Sequence, residues 1–264
     1  MGNQQSATKP PERAEMAEKT GVYANRDKLL TEVPTKVFTI ANLRTLDLSH
    51  NKIAAIPRTV GVLAPKLKTL DFAHNKLASL PHEICELHEL HMLGLSDNLL
   101  TELPDALGAL GKLKTLMLAR NRFSALPESM CALRSLSHLD ASSNKLDRLP
   151  AGFGYLEALM AANLSHNQLG ALPSGLGGLK RLKELDLRGN APLVVHGSVP
   201  AELLLETPLH RLEVDPEMIG SDGLLLPEAA GGVEALAAYT ARRKARIDKE
   251  MHAKERGGDI SFSQ

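Results

Sequence analysis

From Leu43 onward the chain repeats one arrangement of apolar and polar residues, LxxLxLxxNxLxxLP, with starts at Leu43, Leu67, Leu90, Leu113, Leu136, Leu159 and Leu182. The step is 24 residues once and 23 thereafter. Asn51, Asn75, Asn98, Asn121, Asn144, Asn167 and Asn190 form an unbroken column, and Pro57, Pro81, Pro104, Pro127, Pro150 and Pro173 form a second. Pro34, preceded by Tyr23, Leu30 and Val33, marks a degenerate repeat ahead of these. Self-similarity at such a period signals stacked units, none of which buries its apolar face alone.

Each column has a physical reason. In Leu46-Asp47-Leu48 and its equivalents, alternation with period two sends the leucines inward and the middle residue outward, as in a short strand. Stacking the units places these strands side by side and parallel on a concave face. The Asn turns the chain, and its amide pairs with backbone groups the turn leaves unsatisfied. The Leu-Pro pair fixes an extended residue before the proline and ends the turn. The connecting segments keep apolar residues three apart, as in Ile84/Leu87, Met130/Leu133 and Phe153/Leu156, which suits short helical or 3-10 turns on the convex side. The expected fold is an α/β solenoid with a parallel concave sheet.

A solenoid exposes core at both ends and needs caps. Pro11 to Lys19 reads as a short polar helix closed by Gly21. After Asn190 the frame breaks at Ala191-Pro192-Leu193, and Leu203-Leu204-Leu205 follows an inserted loop. Leu209 to Val214 then reads as a last strand. Gly231-Gly232 precedes a predicted helix from Val233 to about Arg256, and residues from Gly257 onward are expected to be disordered. The expected division is a capping segment at 1–20, the solenoid at 21–214, and a C-terminal capping helix with its tail at 215–264.

Composition changes this picture little. Basic and acidic residues balance at 31 each, which gives no global argument for nucleic acid or acidic substrates. Aromatic content is only 3%, with no Trp, as suits a core of identical Leu-lined slots. Cys85 and Cys131 stand 46 residues apart, two periods, so they share a column two turns apart. That separates their Cα atoms by roughly 10 Å, beyond the limit of about 7 Å for a disulfide. Both are expected to be buried thiols in a reducing compartment. No stretch approaches the run of about 18 apolar residues of a membrane span, and the N-terminus lacks the apolar run of a secretory signal. An intracellular protein is expected.

The 23-residue LxxLP repeat resembles that of the intracellular, Ras-group-related leucine-rich-repeat proteins. The ends narrow the likeness. Met1-Gly2-Asn3, the segment Ala17 to Tyr23 and the helix from Leu236 to Lys249 look like those of the leucine-rich repeat-containing protein 57 branch. The resemblance spans nearly the whole chain, although the convex segments here are richer in Ala and Gly and the 208–232 region is longer. It implies a leucine-rich-repeat horseshoe with helical caps. It also implies a non-catalytic, N-myristoylated, membrane-peripheral protein.

Candidate chemistry is sparse. Met1-Gly2-Asn3-Gln4-Gln5-Ser6 fits the N-myristoylation frame, with Gly2 as acceptor and Ser6 as the small hydroxyl residue. One myristoyl chain holds a membrane only marginally, so a second contact is needed. The basic run Arg242, Arg243, Lys244 and Arg246 is the candidate, with a solvated capping helix as the alternative. The concave face offers Asp47, Asp71, Met117, Asp140, Asn163 and Asp186 from the strands, with His50, His74 and Arg120 beside them. Asp47 and Asp71 should lie roughly 5 Å apart and repel, with Thr45, Thr69, His50 and His74 placed to offset the charge. Such a ladder suits a partner bringing Lys or Arg. The His/Asp row is flat and open, unlike a closed metal shell, so no metal is expected. No nucleophile elbow, phosphate loop or Cys/His pair appears, so neither catalysis nor a cofactor is expected. The sequence therefore reads as a monomeric adaptor binding a protein and a membrane surface, with no nucleic-acid partner. A structural subunit of a cytoskeletal or ciliary assembly is the alternative, and a phosphatase or small-GTPase regulator a third, by fold analogy alone.

Overall fold

The computed structural model describes residues 10–193, 203 and 207–215. The repeats place nine three-residue strands in it: β1 Val22–Ala24, β2 Thr45–Asp47, β3 Thr69–Asp71, β4 Met92–Gly94, β5 Thr115–Met117, β6 His138–Asp140, β7 Ala161–Asn163, β8 Glu184–Asp186 and β9 Arg211–Glu213. They form one sheet in sequence order, every pair parallel. This is the expected leucine-rich-repeat horseshoe. The middle residue of each strand faces inward, so Leu46, Leu70, Leu93, Leu116, Leu139, Ala162 and Leu185 are buried and stack in one row. Rows of Leu, Ile, Val and Phe from the turns complete a single continuous core.

The turn after each strand is held by the Asn column. The Asn98 side chain donates to the carbonyls of Leu95 in its own turn (3.0 Å) and Phe72 in the preceding one (2.9 Å). Its Oδ1 accepts the Leu77 N–H at 2.9 Å. Asn51, Asn75, Asn121, Asn144, Asn167 and Asn190 make the equivalent bonds. The residue before each Asn is left-handed: His50, His74, Asp97, Arg120, Ser143 and His166 have φ between 54° and 56°, and Gly189 has φ 69°. A left-handed L-residue costs about 1–2 kcal/mol, and the hydrogen bonds of the neighbouring Asn hold it there.

The convex segments are 3-10 turns at Thr35–Thr39, Arg58–Leu63, His82–Glu86, Leu107–Ala109, Glu128–Ala132, Ala151–Tyr155 and Leu176–Gly178. Their first bond runs from the third residue after the proline back to the proline carbonyl, as in Ile84 to Pro81 (3.2 Å) and Met130 to Pro127 (3.1 Å). In the last of these repeats Gly175 is left-handed (φ 83°) and the 3-10 turn begins after it. A Cβ on Gly178 would meet the Gly154 carbonyl oxygen at 2.5 Å, so these Gly-rich turns approach backbone to backbone.

Helix α1 (Pro10–Thr20) closes the first end, burying Ala17 fully. Gly21, at φ 74°, ends it, and its carbonyl accepts from Arg44 (2.7 Å) and Thr45 (3.0 Å) to start the ladder. At the other end β9 lies within the span 209–214, where the alternation predicts a strand.

Candidate functional site

Two outward columns cover the concave face. The first runs Val22, Thr45, Thr69, Met92, Thr115, His138, Ala161, Glu184, Arg211, and the second Ala24, Asp47, Asp71, Gly94, Met117, Asp140, Asn163, Asp186, Glu213. The acidic column does local work. One oxygen of Asp47, Asp71, Asp140, Asn163 and Asp186 accepts the backbone N–H two residues on, at 2.9–3.1 Å. Each is an Asx turn that begins the chain reversal, and Asn163 shows that an amide serves as well as a carboxylate.

Asp47 and Asp71 are in register on neighbouring strands, as the sequence predicts. Their surroundings correct that expectation in two ways. Asp47 is only 5% exposed, which removes it from the surface a partner meets. The charge that offsets it is Arg26, from the turn after β1, which bonds and ion-pairs with the Asp47 carboxylate. Thr45 and Thr69 have no such role, although His50 does favour the ionised form of Asp71. Arg26 lies in the degenerate first repeat, where no motif marks it.

The two carboxyls consequently differ. Burial works to raise Asp47, but Arg26 and the Ser49 hydroxyl and amide outweigh it and hold the group below the usual carboxylate range. Burial dominates at Asp71 and, with the Asp47 charge, raises it against the pull of the Ala73 N–H. A lowered Asp contributes stability that is present above its unfolded value and lost as pH falls through the folded one, whereas a raised Asp opposes folding at neutral pH. Asp47→Asn is therefore expected to cost about 0.5–1 kcal/mol at neutral pH, a value kept low because Arg26 is largely exposed. Asp71→Asn, which retains the turn acceptor, should be neutral or stabilising by up to about 1 kcal/mol. Thermal melts of the two variants at pH 7 test this, and equal losses in both would overturn it.

His50, His74 and Arg120 stand beside the strands, in the left-handed column at the strand-exit edge. The His50 and His74 rings stack at 4.1 Å between centroids. Asp97, which the sequence reading did not single out, lies 3.6 Å from His74 and 3.6 Å from Arg120. Its position immediately before Asn98 is the signal that places it in this row. Met117, Asp140, Asn163 and Asp186 are half-buried on β5 to β8. Asp186 is held by Arg188 at 2.5 Å, and Glu213 by Arg211 at 3.0 Å. Over β7 the face is indented by an open hollow of about 320 Å³ lined by Met117, His138, Asp140, Ala161, Asn163 and Glu184 among others. The departure of Ala161-Ala162 from the Thr-Leu pattern is the sequence signal for it.

Other chemistry has little support in the geometry. Among the described residues no three His, Cys, Asp or Glu side chains converge as metal ligands. Cys85 and Cys131 are buried and unbonded, and burial, with Glu86 and Glu128 nearby, raises both thiols, Cys131 to about 11. A thiol so raised is almost wholly protonated at neutral pH and a poor nucleophile. No helix among the described residues is long and apolar enough to cross a membrane. Gly2, Arg242, Arg243, Lys244 and Arg246 lie outside the described residues.

Comparison with known proteins agrees with this geometry. The family model described as leucine rich repeat matches residues 41–100, and the one described as leucine-rich repeat region matches 105–215. A 59-residue stretch is 48% identical to plant intracellular Ras-group-related LRR protein 7 of Oryza sativa subsp. japonica, covering 22% of each chain. Among solved structures, the ectodomain of the Arabidopsis thaliana membrane receptor kinase GASSHO1/SCHENGEN3, in complex with Casparian strip integrity factor 2, is 30% identical. The match covers 69% of this chain and 22% of that one at a TM-score of 0.58. Internalin C2 of Listeria monocytogenes, 19% identical with 76% of this chain and 84% of that one covered, shares the fold at a TM-score of 0.61. The matched part of this chain thus spans about a fifth of the length of the rice protein and of the Arabidopsis ectodomain.

Proposed function

Because the chain belongs to the leucine-rich-repeat family, we propose that it is a non-enzymatic adaptor that binds a protein partner on its concave sheet. The observation that carries this reading is the pair of outward columns across nine parallel strands. Thr69, Met92, Thr115, His138 and Glu184 remain partly or fully exposed along them. The turns and α1 serve the scaffold. Leucine-rich-repeat domains act in protein–protein interaction, and the Arabidopsis ectodomain's own complex with a factor supports the same use here.

In this reading residues 21–214 recognise the partner as a monomer, and the ends place the protein. Gly2 carries a myristoyl group, and Arg242, Arg243, Lys244 and Arg246 give the second contact that a single acyl chain requires on an anionic membrane. The protein is then cytoplasmic and membrane-peripheral. The frame at Gly2 and Ser6 supports the tether.

One experiment separates the two parts. The full chain, Gly2→Ala and Thr115→Arg are expressed in eukaryotic cells, fractionated, and compared by proximity labelling. Gly2→Ala is expected to leave the membrane pellet. Thr115→Arg, outward at the centre of the face, should stay in it, melt normally and lose partner capture about ten-fold or more. An intact mass without an acyl adduct sinks the tether, and an unchanged partner set for Thr115→Arg sinks the concave reading.

A further inference from the structure

We propose that the hollow over β7 seats one basic side chain of the protein partner, a lysine or arginine. The proposal rests on the concave sheet being the binding surface and specifies what one part of that surface takes.

The shape comes from β7. Its sequence is Ala161-Ala162-Asn163, where β2 to β6 and β8 open with an outward Thr, Met, His or Glu followed by an inward Leu. Ala161 is flanked in register by His138 on β6 and Glu184 on β8. Two larger residues beside a methyl group leave a trough of about 320 Å³ with Met117 at one end. The apolar floor suits the aliphatic stem of a lysine or arginine.

The charges select the same occupant. Four carboxylates line the trough: Asp140, Glu184, Asp186 and Glu213. Asp186 is neutralised by Arg188, and Glu213 by Arg211, which also lines the trough in register with Glu184. Among the described residues no Lys or Arg forms an ion pair with Asp140 or Glu184, Arg211 being turned to Glu213. Asp140 spends one oxygen on the Ser142 amide and hydroxyl, leaving the other free. His138 faces the Ser137 hydroxyl at 2.9 Å.

The chain itself shows the expected arrangement at another point of the sheet. Over β2, Arg26 folds onto Asp47, in the column that holds Asp140 on β6. Over β8 and β9, Arg188 and Arg211 do the same. Between these, on β6 and at Glu184, the carboxylates have no such cover. An apolar occupant would desolvate Asp140 and Glu184 without compensation, which is unfavourable, whereas a basic one pairs with both.

The test titrates the isotopically labelled full chain with Ser-rich pentapeptides bearing a central lysine, arginine, Nε-acetyl-lysine or norleucine, followed by amide chemical shifts. Lysine and arginine peptides are expected to move Ala161, Asn163 and Glu184, and the uncharged pair to leave them still. Ala161→Leu, which fills the trough and keeps every carboxylate, should weaken binding about ten-fold or more. Asp140→Asn with Glu184→Gln should weaken it about ten-fold, with folding preserved because Asn keeps the turn acceptor, as Asn163 does. Equal binding of the acetylated peptide, or unchanged binding by Ala161→Leu, overturns the proposal. So does the absence of any shift. Shifts confined to β2–β5 overturn it while leaving the concave reading intact, and shifts confined to the convex turns overturn both.

Discussion

Leu116→Ala is expected to destabilise the solenoid by about 2–5 kcal/mol, one of the two largest effects of any single substitution considered. Leu116 is fully buried at the centre of β5 and in register with Leu93 and Leu139, which are also buried. Backbone hydrogen bonds hold β4, β5 and β6 in place on both sides, so the cavity has little means of collapsing, and the loss should fall in the upper part of that range. Coupling between repeats is nearest-neighbour, so hydrogen-exchange protection should fall first in the turns on either side. Thr115→Ala, one residue away and outward, should change stability by no more than about 0.5 kcal/mol. Urea unfolding of both variants checks the contrast. A small loss in Leu116→Ala with the larger loss in Thr115→Ala would mean that the strand alternates in the opposite sense, since a shift of one residue exchanges the two faces.

That contrast was legible in the sequence because strand alternation and the 23-residue period reinforce each other. The leucine frame fixes which residue of every strand is inward, and the Asn and Pro columns fix where each turn begins. The burial of Cys85 and Cys131 followed from the same arithmetic. What the frame could not show was side-chain reach. Asp47 is outward by register, yet Arg26, 21 residues earlier and outside any motif, covers it. The left-handed row from His50 to Gly189 was only partly legible: Gly189 favours positive φ outright, His50, His74, Asp97 and His166 belong to types enriched there, and Arg120 and Ser143 carry no such signal. The hollow over β7 was written in Ala161-Ala162, but a gap takes its meaning from the neighbours that wall it, and these stand 23 residues away on each side.

The Asn column yields the second large effect, and the order of its two variants depends on pH. Asn98 is buried and serves two kinds of group. The carbonyls it reaches are shared: Phe72 also accepts from Asn75 at 3.0 Å, and Leu95 from Asn121 at 2.9 Å. Among the described residues the Leu77 N–H has no partner other than the Asn98 oxygen, at 2.9 Å. Asn98→Ala therefore leaves the carbonyls a partner each and orphans one buried donor, for an expected cost of about 1–3 kcal/mol at any pH. Asn98→Asp keeps that acceptor but turns a carboxylate toward the two carbonyls. Buried and facing these carbonyl oxygens, its folded pKa rises above the unfolded value of about 3.9. A raised carboxyl penalises folding fully above its folded pKa, and the penalty disappears as pH falls through that value to the unfolded one. Asn98→Asp should thus cost about 3 kcal/mol or more at pH 7, exceeding Asn98→Ala. Near pH 4, protonated and able to donate, it should cost less than Asn98→Ala. Urea unfolding of both variants against the parent at each pH reads the crossover. Should Asn98→Asp keep the smaller cost at pH 7, the side chain is acting as an acceptor alone, and the donor half of the ladder contributes nothing.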